Sequence, residues 1–286
     1  MDGVKPLLVL VLAAMVALAG CGRQSPQVSP TPSPSPSAQT LTIGATADET
    51  TKVLAELYAQ GLATKGRAAR IVEVEDDANT LVSRIESGEV DVAPVFAWSA
   101  AQGLQVDSAG PDTLVSDLAA ALDGEVAVLQ ASGVDRAWRY VSSESGASLD
   151  DLAPGVSIAA PTRWMAAGDG LSGLEAVYHA KPTVTTVDDS DDRLAQVKSG
   201  SLGVFEATDP NVVQLKPVAD PMSMVSPDPQ VALLRIALSS DDTVLDVVQQ
   251  LHEKLDNAVI IGIRERAATV GVTAAAAEWL KANPLT

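Results

Sequence analysis

Ile85-Glu86-Ser87-Gly88-Glu89-Val90-Asp91-Val92 and Val197-Lys198-Ser199-Gly200-Ser201-Leu202-Gly203-Val204 are two copies of one arrangement. In each, a helical stretch stops at a Ser-Gly pair and a short apolar run follows. Glycine just past a helix end takes the left-handed conformation that closes the last turn. The run after it has the length of a buried strand. The first copy is preceded by Leu41-Thr42-Ile43-Gly44, a strand ending in Gly. A helix over 50–65 then places Val53, Leu54, Leu57, Tyr58 and Leu62 at helical spacing and stops at Gly66. Arg70-Ile71-Val72-Glu73-Val74 reads as a second strand. Asn79 is expected to cap the helix carrying Leu81, Val82 and Ile85, and 90–96 to form the third strand. The second copy closes a matching series: strand 156–160, helix 171–178, strand 183–187, helix 190–198, strand 202–205. Two β-α-β-α-β units predict an α/β fold of two similar lobes, with mainly parallel sheets and helices on their faces. Residues 243–256, 257–270 and 273–282 read as three helices with no strand after them. This C-terminal helical tail is expected to pack on a lobe that is already built.

The N-terminus has a different character. After Lys5, Leu7 to Leu18 forms an apolar run of about a dozen residues, short for a membrane span but suited to a signal segment. It ends in Leu18-Ala19-Gly20-Cys21, which resembles the lipobox of bacterial lipoproteins. Residues 1–20 are therefore expected to be a cleaved signal, with Cys21 the site of lipidation. Cys21 is the only cysteine, so no internal disulfide and no thiolate metal cluster can form. Residues 21–40 form a tether, with Pro26, Pro30, Pro32, Pro34 and Pro36 among Ser, Thr and Gln. Such a segment stays extended at ~3.1 Å per residue and reaches roughly 50 Å. The net charge of −18 makes nucleic acid an unfavourable partner.

Motifs for catalysis are missing. The two histidines, His179 and His252, have no metal-ligand spacing to one another or to a cysteine. Gly170-Leu171-Ser172-Gly173 only approaches a nucleophile elbow, and no P-loop or dinucleotide glycine pattern occurs. No cofactor is implied, and an enzyme is disfavoured.

The chain resembles the substrate-binding proteins of osmoprotectant ABC importers, which carry glycine betaine, choline, carnitine or related quaternary amines. The resemblance rests on Leu41-Thr42-Ile43-Gly44, Leu54-Ala55-Glu56-Leu57-Tyr58-Ala59-Gln60, and Ser87-Gly88-Glu89-Val90-Asp91-Val92-Ala93-Pro94. It extends through Leu149-Asp150-Asp151-Leu152, Gly170-Leu171-Ser172-Gly173-Leu174, Thr208-Asp209 and Ala277-Glu278-Trp279-Leu280. It implies a type II periplasmic-binding fold, with one lobe over 41–137 and 211–286, the other over 138–210, and two crossings as hinge. It also implies a small-molecule ligand between the lobes, an ABC permease as partner, and an extracytoplasmic location on the cell membrane through the lipid anchor.

The same resemblance points to candidate ligand residues. Phe96 and Trp98 follow the third strand; Trp138 stands at the first crossing. Arg163, Trp164 and Asp169 occupy a loop of the second lobe, and Thr208 and Asp209 stand at the return crossing. Quaternary ammonium groups are held over aromatic faces, worth about 0.5–2 kcal/mol each. The chain has only four Trp, three Tyr and two Phe, so the implied cage is Trp98, Trp138 and Trp164 with Phe96 as a lesser wall. Arg163 would take a ligand carboxylate, and Asp169 or Asp209 would attract its cation. Packing is the competing role for each Trp. Two other functions stay open from sequence: a transport-deficient lipoprotein serving as sensor or protein-interaction module, and a cell-surface enzyme on the same fold.

Overall fold

The computed structural model describes residues 40–286 apart from 109, 123 and 125. The signal segment, the lipidation site Cys21 and the Pro-rich tether lie outside the described residues. The order begins β1 (Leu41–Ala45), α1 (Glu49–Thr64), β2 (Ala69–Glu73), α2 (Ala78–Glu86), β3 (Val92–Phe96), α3 (Ala97–Gly103), α4 (Leu114–Ala121), β4 (Val126–Val128). It continues β5 (Trp138–Ser142), β6 (Ser157–Ala160), α5 (Thr162–Ala166), α6 (Leu171–Tyr178), β7 (Thr183–Thr186), α7 (Ser190–Lys198), β8 (Leu202–Glu206), β9 (Lys216–Pro217). It ends β10 (Gln230–Arg235), α8 (Asp242–Lys254), α9 (Asn257–Val270), α10 (Val272–Ala282).

The strands form two five-stranded sheets, β2-β1-β3-β10-β4 and β7-β6-β8-β5-β9. In the first, β2, β1 and β3 are parallel and β10 is antiparallel to both neighbours. In the second, β7, β6 and β8 are parallel and β5 is antiparallel to both neighbours. The two halves thus share one topology. The expected parallel triplets are present, and each sheet gains one antiparallel strand. Those strands, β5 and β10, are the first strands after the two crossings. Both helix-end glycines take positive φ, 78° at Gly88 and 109° at Gly200, which a side chain would resist.

The return crossing is displaced from its expected place. β9 pairs with β5, the Val218 N–H donates to the Tyr140 carbonyl, and Ala219 bridges Ser148. The chain from Lys216 to Ala219 therefore lies on the second sheet, and the return falls just before β10, not at Thr208-Asp209. A two-residue edge strand among prolines leaves no periodicity to read.

The first sheet is covered on both faces. One face packs under α1, α8, α9 and α10 around Ile43, Leu54, Leu57, Val248 and Ile260; the other packs under α2, α3 and α4 around Ile85, Val90 and Leu118. Each fully buried side chain of this size contributes about 1.5–3 kcal/mol. α1 begins at Asp48, whose carboxylate accepts the Thr51 N–H. α2 begins at Asp77, which accepts the Thr80 N–H, so Asp77 and not Asn79 is its cap. One polar chain runs through the apolar layer: Tyr58 Oη lies 2.5 Å from His252 Nε2, and His252 Nδ1 lies 2.6 Å from the Gln130 carbonyl. The carbonyl can only accept, so Nδ1 carries the proton and the tyrosine donates to Nε2. Among the described residues no helix is long and apolar enough to cross a membrane.

Candidate functional site

A cavity of about 440 Å³ is lined by residues at the carboxyl ends of β1 and β3, by Trp138 at the start of β5 and by residues that follow β6. Ligand sites of open α/β sheets lie at such strand ends. The first half contributes Thr46, Phe96, Trp98 and Ser99, and the second Trp138, Arg163 and Asp169; Arg136 and Asp228 come from the crossings.

The crossings are stitched together at the cavity floor. The Arg136 N–H donates to the Asp228 carbonyl, and the Gln230 N–H to the Val134 carbonyl. Asp135 Oδ1 accepts the N–H groups of Ala137 at 2.9 Å and Asp228 at 2.8 Å. Asp228 in turn caps α3 from outside its own helix. Its Oδ1 accepts the Trp98 and Ser99 N–H groups at 2.9 and 3.2 Å, and Oδ2 accepts the Ser99 hydroxyl at 2.6 Å. This holds the Phe96-Ala97-Trp98-Ser99 turn at the cavity wall.

Arg136 sits at the centre with its side chain only 8% exposed. Nη2 donates to Ser99 Oγ at 2.9 Å. Carboxylates of Asp228, Glu206 and Asp48 stand at 3.5, 3.7 and 3.9 Å. The guanidinium carbon lies 4.1 Å from the Phe96 ring centroid. Burial alone would raise the Asp48 carboxyl, but Arg136, the Thr51 N–H and the more distant Arg163 and Arg264 outweigh it and hold it below the usual range. Burial pushes the Asp169 carboxyl up, although it accepts the Ser226 N–H at 3.0 Å. A second guanidinium, Arg163, stands 4.7 Å from the Trp138 ring centroid and pairs with Glu206. Trp138 and Glu206 are register partners across β5 and β8, so ring and carboxylate sit side by side.

Five of the eight residues singled out from sequence line the cavity: Phe96, Trp98, Trp138, Arg163 and Asp169. Three do not. Trp164 is fully buried in the core of the second half against Ile158, Leu174 and Val204, and its Nε1–H donates to Tyr140 Oη at 3.1 Å. The chain after α5 doubles back so tightly that a Cβ on Gly170 would fall 1.9 Å from the Trp164 carbonyl. Thr208 is buried between elements: the Thr50 hydroxyl donates to its hydroxyl at 3.1 Å, and Arg264 to its carbonyl at 2.8 Å. Asp209 caps the 3-10 turn Pro210–Gln214 and accepts the Ser190 hydroxyl at 2.6 Å, with Arg193 at 3.6 Å. Sequence reasoning passed over the cavity residues Arg136 and Asp228, and Asp48 and Glu206 beside Arg136. Arg136 had one signal, a basic residue two positions before Trp138 in a strongly acidic chain. Trp98 keeps one open valence: its indole N–H is buried with no hydrogen-bond partner.

Two sheets of one topology, two stitched crossings and a charged, aromatic cleft between them define a two-lobed solute-binding protein. Residues 39–282 match the model of the substrate-binding domain of the ABC-type glycine betaine transport system, and the chain belongs to that family. It is an extracytoplasmic solute-binding protein that delivers its ligand to an ABC transporter. Solved structures agree on the fold. A glycine betaine/carnitine/choline ABC transporter protein matches with TM-score 0.71 at 14% identity, covering 84% of this chain and 97% of that one. Apo YehZ from Escherichia coli matches with TM-score 0.66 at 16% identity, covering 86% and 99%. Lactococcal OpuAC, closed on glycine betaine, matches with TM-score 0.59 at 13% identity, covering 86% and 96%. These likenesses establish the type II periplasmic-binding fold. No curated protein sequence matches the chain.

The position of Trp164 makes it a packing residue. Trp164→Ala is expected to destabilise the protein by about 3–5 kcal/mol, and Trp164→Phe by much less. Chemical denaturation measures both; an alanine variant as stable as the parent contradicts the assignment.

Proposed function

We propose that the cleft binds a quaternary-amine osmolyte of the betaine or choline kind. The single observation that carries this reading is the pairing of aromatic faces with carboxylates at the strand ends. Trp138 stands beside Glu206, and the guanidinium over the Phe96 ring is faced by Asp48, Asp228 and Glu206. An aromatic face supplies the quadrupole attraction a cation without N–H donors needs, and the carboxylates supply charge. The unpartnered Trp98 N–H is a donor suited to a ligand carboxylate or hydroxyl. Phe96, Trp98, Trp138 and Asp169 are the proposed ligand contacts, and Arg163 stands over the Trp138 ring at the same wall. Supporting the reading, two matched proteins were solved in complex with glycine betaine and with choline.

Calorimetric titration of the purified protein with glycine betaine, choline and carnitine tests it. At least one is expected to bind, and Trp138→Ala to weaken that binding at least ~5-fold, about 1 kcal/mol. No binding by the parent at millimolar concentration would exclude this ligand class. The protein is read as a carrier without catalysis, so the ligand should be recovered chemically unchanged after prolonged incubation; conversion to a product would contradict that.

Membrane attachment through Cys21 is proposed on Leu18-Ala19-Gly20-Cys21 and the Pro-Ser tether after it. Dual or triple acylation anchors firmly, at about 0.8 kcal/mol per buried methylene. Cys21→Ser should leave the membrane fraction or keep its signal uncut. A Cys21→Ser protein of mature mass that stays with the membrane contradicts the anchor.

A further inference from the structure

Resting on the reading of the cleft as an amine site, we infer that Arg163 is a resident competitor for the cation position on Trp138, and that ligand binding requires its displacement.

Three observations lead there. The Arg163 guanidinium stands 4.7 Å from the Trp138 ring centroid and pairs with the Glu206 carboxylate, so the chain's own cation occupies the spot where ring and carboxylate coincide. The guanidiniums of Arg136 and Arg163 at the cleft wall are faced by Asp48, Glu206 and Asp228, and Asp169 lines the same cavity. A ligand cation entering beside Arg163 would put a third positive group into that space. Exchange for Arg163 leaves the local charge unchanged, and Glu206 regains a counter-ion. Arg163 is also the cation able to leave. Its side chain is 40% exposed, against 8% for Arg136, and it stands on the five-residue helix α5 at the rim. Arg136 is pinned by the Ser99 hydroxyl and three carboxylates.

The surroundings already press on Arg163. Burial and the neighbouring Arg136 pull its guanidinium down to about 10, so it remains charged at neutral pH. Asp76, at the opposite wall, is among the carboxylates whose field favours the charged form, and offers a partner to the side chain once it swings out. Self-occupation lowers apparent affinity by the fraction of molecules whose site is vacant. It also sets specificity: only a cation that stacks on Trp138 better than a guanidinium does can take the place.

The expected consequence runs opposite to that of an ordinary contact residue. Arg163→Ala and Arg163→Gln should bind choline at least ~5-fold more tightly than the parent, measured by calorimetry. Tetramethylammonium, which has no oxygen to contact Arg163, should gain likewise. The double variant Trp138→Ala/Arg163→Ala should lose that gain. Unchanged or weaker choline binding in both single variants overturns the inference. Weaker glycine betaine binding with unchanged choline binding also overturns it, and makes Arg163 a carboxylate ligand. If the parent binds no quaternary amine while Arg163→Ala binds tetramethylammonium, the competitor role stands and the proposed function falls. If the parent binds choline and neither variant gains, the reverse holds. If nothing binds to either, both fall.

Discussion

A guanidinium buried at a crossing between two sheets is the constraint on which the rest of the cleft depends. Arg136 has lost its hydration, and a buried charge survives only when paired and hydrogen-bonded. Its partners come from four places: Asp48 after β1, Ser99 on α3, Glu206 at the end of β8 and Asp228 on the return crossing. The need to satisfy one cation thus brings together two strand ends of the first lobe, one of the second, and both crossings. Phe96 completes the enclosure beneath it.

The topology explains why those groups can meet. Each lobe has three parallel strands whose carboxyl ends face the cleft, and each receives its antiparallel strand directly from a crossing. The crossings therefore feed the middle of the sheets, beside β3 and β8, and do not hang from an edge. The crossings thus lead directly into the strands paired with those that end in Phe96 and Glu206. Asp228 shares the α3 cap with Arg136, so hinge, helix and cleft wall are coupled through one carboxylate.

Sequence made much of the fold legible because its signals are local. The Ser-Gly helix ends at Gly88 and Gly200, and the apolar spacing of α1 and α2, need only a few neighbouring residues to be read. β10 was missed although it lies inside the first sheet; Val231-Ala232-Leu233-Leu234 is an apolar run that cannot be told from helix by period alone. The site was half legible. Phe96 and Trp138 were reached through the family resemblance, which implies ligand groups after the third strand and at the first crossing. Trp164 was misplaced because a Gly-rich loop reads as exposed, whereas Trp164 stands on the short helix α5 and turns into the core. Thr208 and Asp209 were misplaced with the return crossing. Arg136, Glu206 and Asp228 lie far apart in sequence, and nothing local announces that they share one charge network.

The direct test of that network is a double-mutant cycle on Arg136 and Asp228, read by chemical denaturation. Each single change, Arg136→Met or Asp228→Asn, strands a buried charge and is expected to cost about 3–5 kcal/mol. The double variant strands neither with respect to the other, and should cost at least ~1 kcal/mol less than the two singles added together. Additive losses would mean that the two groups act independently, and would contradict the account of Arg136 as the tie between hinge and cleft.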